Sequence, residues 1–325
     1  MNRPFLLKPA AKSYLWGGNR LNDDFGKNIN ETPLAETWEC STHPDGQSIV
    51  ASGEYTNQRL GDVLRDNPSF LGKGSIDGDL PILIKLIDAK DDLSVQVHPD
   101  DKFAFSNENG QMGKTEMWYV LDAAPNSKLI YGLTHNLSKE QLKESINRGT
   151  LEKYLQKIPV KKDDVFFIEP GTIHAIGSGI LVAEVQENSN LTYRLFDYNR
   201  VDKNCKKREL HIDKALEVSK LTKSERPRQP IRVLNYTPGC ALELLARCRY
   251  FEVNRMVLNT ERHRAMVSYQ THETYSILLC YSGCGVITMN DCELLPFFKG
   301  DCIFFPANSI AVKIHGKAEF LDIKG

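Results

Sequence analysis

The chain has 325 residues, 41% of them hydrophobic, and its 41 basic residues against 42 acidic ones leave a net charge of −1 with a pI near 6.7. That length exceeds the roughly 150 residues of a typical domain, so two core-forming units are expected. The balanced charge gives no case for nucleic acid or an anionic membrane as partner, and its apolar runs are far shorter than the ~20 residues that cross a bilayer. The N-terminal MNRPFLLKPAAK has too brief an apolar part for a signal peptide, so a soluble, cytoplasmic protein with a small-molecule partner is expected. Its 8 cysteines contain no CxxC pair and read as reduced, structural thiols.

Most of the chain reads as short strands. TWECSTH, LPILIKLI, LSVQVH and EMWYVLD come first, then DVFFIEP, ILVAEVQ and LTYRLFD, and finally YSILLCY, GVITMN and CIFFP. Aromatic and β-branched residues bounded by Gly, Pro, Asn and Asp predict antiparallel barrels or sandwiches. One helical interruption is expected at about 134–158. Leu137, Leu142, Ile146, Leu151 and Leu155 recur at helix-like intervals, and Ser138 with Gln141 makes a capping box, so two short helices broken near Gly149 are predicted. A basic tract from Lys203 to Lys214 and the segment SKLTKSERPRQPIR precede the last strands; both read as solvated, with a linker near 220–232 because each Pro of RPRQP opposes regular structure.

DDVFFIEPGTIHAI and GDCIFFPANSIAV share an acid, a hydrophobic strand, Pro, a small turn and an apolar exit, while KTEMWYVL resembles HETYSILL. In this weak repeat Glu116 corresponds to Glu273 and His174 to Ile310, with 58 residues between glutamate and turn in the first copy and 37 in the second. The difference is about the size of the helical insertion. Two related β barrels are therefore predicted, the second without the histidine.

In LSVQVHPDD the period of two puts Ser94, Gln96 and His98 on one strand face and Leu93, Val95 and Val97 on the other, with Asp100 and Asp101 capping the turn. Gln96 and His98 share that strand, and Glu116 and His174 lie on two others that a barrel brings together with it. They offer two imidazoles, a carboxylate and an amide oxygen, a shell that suits Zn and is also open to Mn, Fe, Co or Ni.

PGTIH after DVFFIE resembles the second cupin motif, so the expected fold is mainly β, a bicupin of two double-stranded β-helix (jelly-roll) barrels with a small helical insertion. The expected division is a metal-binding domain over 1–220 and a degenerate cupin over 221–325. YLWGGNRL, AETWECSTHPDG, SVQVHPDD, KTEMWY and EPGTIHAIGSGILVAEVQENSNLTYRLFDY together resemble the type I mannose-6-phosphate isomerase family in its short form. The resemblance implies one Zn2+ per chain held by Gln96, His98, Glu116 and His174. It implies catalytic roles for Arg194, Glu184 and Lys114, and phosphate contacts from Lys85 and Ser94. Thr115 stands where long-form relatives carry proline, and the helical insertion is reduced.

Shifting a carbonyl between C1 and C2 of a sugar requires removal of a weakly acidic proton, and a cation stabilises the resulting enediolate by several kcal/mol. Lys114 and Glu184 are both candidates for the base, and Arg194 would stabilise charge or orient hydroxyls. Lys85 sits inside an apolar strand, where an unpaired charge is costly. The implied activity is zinc-dependent interconversion of mannose 6-phosphate and fructose 6-phosphate by a monomer or weak homodimer. A cupin oxygenase and a non-catalytic sugar-binding bicupin are the alternatives; Gln96 in place of a further histidine argues against the first, and the set Lys85, Lys114 and Arg194 against the second.

Overall fold

The computed structural model describes residues 2–201, 204–261, 266–290 and 293–325, so Lys203 of the basic tract and Cys292 lie outside the described residues. Three antiparallel sheets make up a mainly β molecule. The first has six strands in the order Val165–Ile168, Glu116–Ala123, Ile180–Glu187, Ile82–Ala89, Glu36–Cys40 and Ala10–Lys12. The second has five, in the order Tyr193–Phe196, Val95–Val97, His174–Ala175, Lys128–Leu133 and Leu155–Pro159. The third is built mainly from 234–324, and the strands Phe5–Lys8 and Ile49–Val50 complete it by pairing through Cys302–Phe305. The N-terminal strand is thus hydrogen-bonded into the sheet of the distant C-terminal segment.

Strand alternation sorts the six-stranded sheet into two faces. Ile82, Ile84, Leu86, Met117, Tyr119, Ala183 and Val185 point one way and share a core with Phe304, Ile277 and Leu279 of the third sheet and with Phe251 just before one of its strands. Ile87, Trp118, Val120, Ile180 and Val182 point the other way and pack with Leu129, Ile158 and Ile176 beside the five-stranded sheet. Lys85, Glu116, Glu184 and Gln186 occupy positions in phase with this second set. Leu93 joins it too, whereas Val95 and Val97 face the outer layer, so the strand's apolar residues divide between two cores.

That outer layer contains the helices Lys139–Asn147 and Ile212–Val218. The capping box is present: Ser138 Oγ accepts from Gln141 N at 3.2 Å and Ser138 N donates to Gln141 Oε1 at 2.8 Å. The second predicted helix is not. Gly149 (φ 65) ends the first, Leu151–Lys153 makes a short 3-10 turn, and Leu155 enters a strand opposite Leu133. A sheet edge that needs a partner overrides the helical spacing. The 220–232 segment lacks regular elements but lies against the first half, with Ser224 Oγ accepting from Leu133 N and the Gln229 side chain bonding both N and O of Val165. Asp100 caps a helix, Asp101–Asn107, that the strand texture did not suggest. The 7 described cysteines are all free. Among the described residues no helix is long and apolar enough to cross a membrane.

Candidate metal centre and active site

Register brings polar residues of the two sheets into rows. On the five-stranded sheet Arg194 and His174 both stand opposite Gln96. On the six-stranded sheet Glu184 lies between Lys85 and Trp118, and Gln186 opposite Glu116. The rows meet at His98, Glu116 and His174, whose potential ligand atoms all lie within 4.8 Å of one another and whose side chains are buried.

Both imidazoles are oriented by the backbone. His98 Nδ1 lies 2.7 Å from the Leu191 carbonyl and His174 Nδ1 lies 2.8 Å from that of Thr172, so Nδ1 donates and Nε2 keeps its lone pair toward the centre. Burial, and then Lys114, hold His98 down at about 3; burial also lowers His174. Both rings are therefore neutral, the form that binds metal. His98 Nε2 is 3.2 Å from Glu116 Oε1, and His174 Nε2 is 3.5 Å from Oε2. His174 Nε2 and both Glu116 oxygens are fully buried without a hydrogen-bond partner, although the Lys114 ammonium stands 2.7 Å from Oε1. Buried polar atoms left open in this way match a cation.

Local turns set these positions. Gln186 Nε2 donates to the carbonyls of Glu187 and Ser189, and Ser189 Oγ donates to Met112 O, which fixes the turn that presents Leu191 O to His98. In PGTIH the backbone at Gly171 has φ +82, and a Cβ there would meet Val218 O at 2.7 Å, so a side chain would displace the turn that carries His174.

Gln96 and Lys114 connect the cluster to a cavity of about 260 Å3, which Ser94, Lys85, Glu184 and Arg194 also line. Lys85 Nζ lies 3.2 Å from Glu184 Oε1 and 3.8 Å from Glu36 Oε2. Burial opposes its charge, but Glu36, Glu184 and Glu116 outweigh this and hold it above its ordinary value. Trp118 donates to Glu184 and Trp38 to Glu36, each at 2.8 Å. Burial, then Glu116, push the Glu184 carboxyl up. Arg194 Nε donates to Ser94 Oγ at 3.2 Å and Nη1 to Glu209 O at 2.9 Å. Asp197 is salt-bridged instead by Arg200 and Arg208.

The structure thus brings all nine singled-out residues to one place: His98, Glu116 and His174 in the cluster, Gln96 and Lys114 at its border, and Ser94, Lys85, Glu184 and Arg194 on the cavity wall. Tyr14, Glu36 and Arg208 also line it and were not singled out. Glu36 carried a signal, a carboxylate within the strand-like ETWEC. A larger, open depression of about 510 Å3 beside Lys90, Asp92 and Lys128 contains none of the clustered residues.

A family model described as phosphomannose isomerase type I, catalytic domain, matches residues 5–135. The mannose-6-phosphate isomerase ManA of Bacillus subtilis is 36% identical over 318 residues, 97% of each chain. The mannose-6-phosphate isomerase of Streptococcus mutans is 34% identical over 323 residues, 99% of this chain and 98% of that one. The crystal structure of the Bacillus subtilis mannose 6-phosphate isomerase superposes with a TM-score of 0.91 at 33% identity and 99% coverage of both chains.

Proposed function

The chain belongs to the mannose-6-phosphate isomerase family, and on that premise we propose that its cavity interconverts mannose 6-phosphate and fructose 6-phosphate by metal-assisted proton transfer through an enediolate. The observation that carries this reading is the pair of neutral histidines, each fixed at Nδ1 by a carbonyl, converging with the buried Glu116 carboxylate, whose Oε2 has no hydrogen-bond partner. His98, Glu116 and His174, with Gln96 as fourth ligand, would hold one Zn2+, because imidazole, carboxylate and amide donors suit that ion. Bound there, it supplies Lewis-acid polarisation of the sugar oxygens worth several kcal/mol.

The chain's own groups do the rest. Lys114 and Glu184 line the cavity and are assigned the proton transfer; burial that raises Glu184 increases its basicity. Arg194 stabilises enediolate charge with a guanidinium held by Ser94 and Glu209. Lys85, between two carboxylates, orders the wall. The mainly β architecture supports reading 1–220 and 221–325 as two cupin barrels, the second without metal, with Phe5–Lys8 lent across to the second.

A coupled assay on metal-stripped protein, before and after zinc, tests the reading. Turnover of mannose 6-phosphate is expected to return with zinc and to be absent in His174→Ala. No turnover with any divalent metal, in protein that has demonstrably rebound metal, overturns the isomerase and favours a sugar-binding role.

A further inference from the structure

The two ends of the cavity differ in charge balance. At the inner end the Lys85 side chain is only 5% exposed and lies between Glu184 and Glu36, so its charge is already met and a phosphate beside it would face two carboxylates. At the outer end the Arg208 side chain is 29% exposed and lines the cavity with Ser94 and Arg194. The single carboxylate Asp197 serves Arg208 and Arg200 together. The Arg194 guanidinium hydrogen-bonds only to neutral oxygens among the described residues. Burial, and then the proximity of Arg208, depress the Arg194 guanidinium, as two cations at a mouth short of anions require.

We propose that Arg208, together with Ser94, forms the phosphate subsite of this cavity, and that Lys85 does not contact the phosphate. The identity of the phosphate's carrier rests on the isomerase reading; the subsite itself does not. Arg208 gives Nε (2.8 Å to Oδ2) and Nη2 to Asp197, which leaves Nη1 free in this pairing. Asp197 thereby holds the guanidinium at the mouth through Nε and Nη2 while leaving Nη1 for another acceptor, and a planar group so held suits phosphate oxygens better than an ammonium does. A phosphate at the outer end leaves C1 and C2 toward the cluster, with Arg194 between them in the row Arg194, Gln96, His174.

The experiment uses metal-loaded full-length protein and two probes, inorganic phosphate by calorimetric titration and mannose 6-phosphate against unphosphorylated mannose in steady-state assays. Arg208→Gln is expected to weaken phosphate binding about 10- to 100-fold, as loss of a charge-assisted contact does, and to raise KM for the phosphosugar similarly while reactivity toward free mannose is not lowered to match. Lys85→Gln is expected to bind phosphate within about three-fold of the parent. Arg208→Lys keeps the pairing with Asp197 and is expected to weaken phosphate several-fold; it serves as the probe if thermal unfolding shows Arg208→Gln to be misfolded. Parent-like phosphate affinity in the folded Arg208 variant, or loss of it in folded Lys85→Gln, overturns the assignment. If the parent does not turn over mannose 6-phosphate at all, phosphate binding that depends on Arg208 still supports the subsite and refutes only the isomerase reading.

Discussion

The strands Glu116–Ala123 and Ser276–Thr288 grow out of similar sequence, KTEMWYVL and HETYSILL, but their acids end in opposite surroundings. Glu116 is fully buried between two histidines, whereas the Glu273 side chain is 70% exposed and pairs with the surface Lys73. The following turns diverge in the same way. PGTIH delivers a buried histidine, while PANSI delivers Ile310 against a core of Phe297, Phe305, Phe320 and Leu278. A shared strand-and-turn texture can therefore enclose either a polar centre or a hydrophobic one. The inward side chains decide which, because buried polar groups cost several kcal/mol unless paired, and buried aromatic groups contribute without partners.

Paired substitutions break or sharpen this contrast. The largest effect is expected from His174→Ala, which should lose bound metal and about 10³-fold in activity, while Glu273→Ala, at the position that corresponds to Glu116, leaves metal content and turnover at the parent level; metal analysis with the coupled assay reads both. Phe320→Ala in the second core should cost about 3–5 kcal/mol in urea unfolding yet spare metal stoichiometry, and a lost metal would mean that the two cores are not independent in this sense. Glu187→Gln acts where the halves meet. Burial, then Asp101, push Glu187 up to about 8 from an ordinary 4.5, and Asp101 also accepts from Tyr250 of the C-terminal half. The folded state thus keeps a proton that the unfolded chain releases, so this contribution is full below pH 4.5 and is lost as pH rises through about 8. Glu187→Gln should flatten that decline by on the order of 2–3 kcal/mol in unfolding followed against pH, and an unchanged slope would exclude the group. The smallest effect is expected from Ser138→Ala, which uncaps a helix of the outer layer that covers the five-stranded sheet. It should lower stability by about 1 kcal/mol in thermal unfolding with the metal retained.

Much of the site could be read locally. His98 two residues after Gln96, Glu116 opening a strand and His174 after PG follow from the period of two and from turn chemistry, both of which act over a few residues. Glu36 and Arg208 escaped notice for opposite reasons. Glu36 hides in a strand whose burial on both faces only the stacked sheets reveal. Arg208 sits in a basic tract that looks solvated until Asp197 draws it to the cavity mouth. Leu155 illustrates the same limit, since its helical spacing from Leu151 is real but its partner is Leu133.

The sequence by itself determined the strand-rich texture, the family motifs and the kinds of donor atom available, because propensity, alternation and capping are properties of neighbouring residues. Only the tertiary structure decided that Phe5–Lys8 completes the far sheet, that Lys85 is neutralised by Glu36 and Glu184, and that Arg200 and Arg208 share one aspartate. Sheet partners and charge compensation depend on groups tens to hundreds of residues apart, whose distance sets the Coulomb and desolvation balance, and no local pattern encodes that distance.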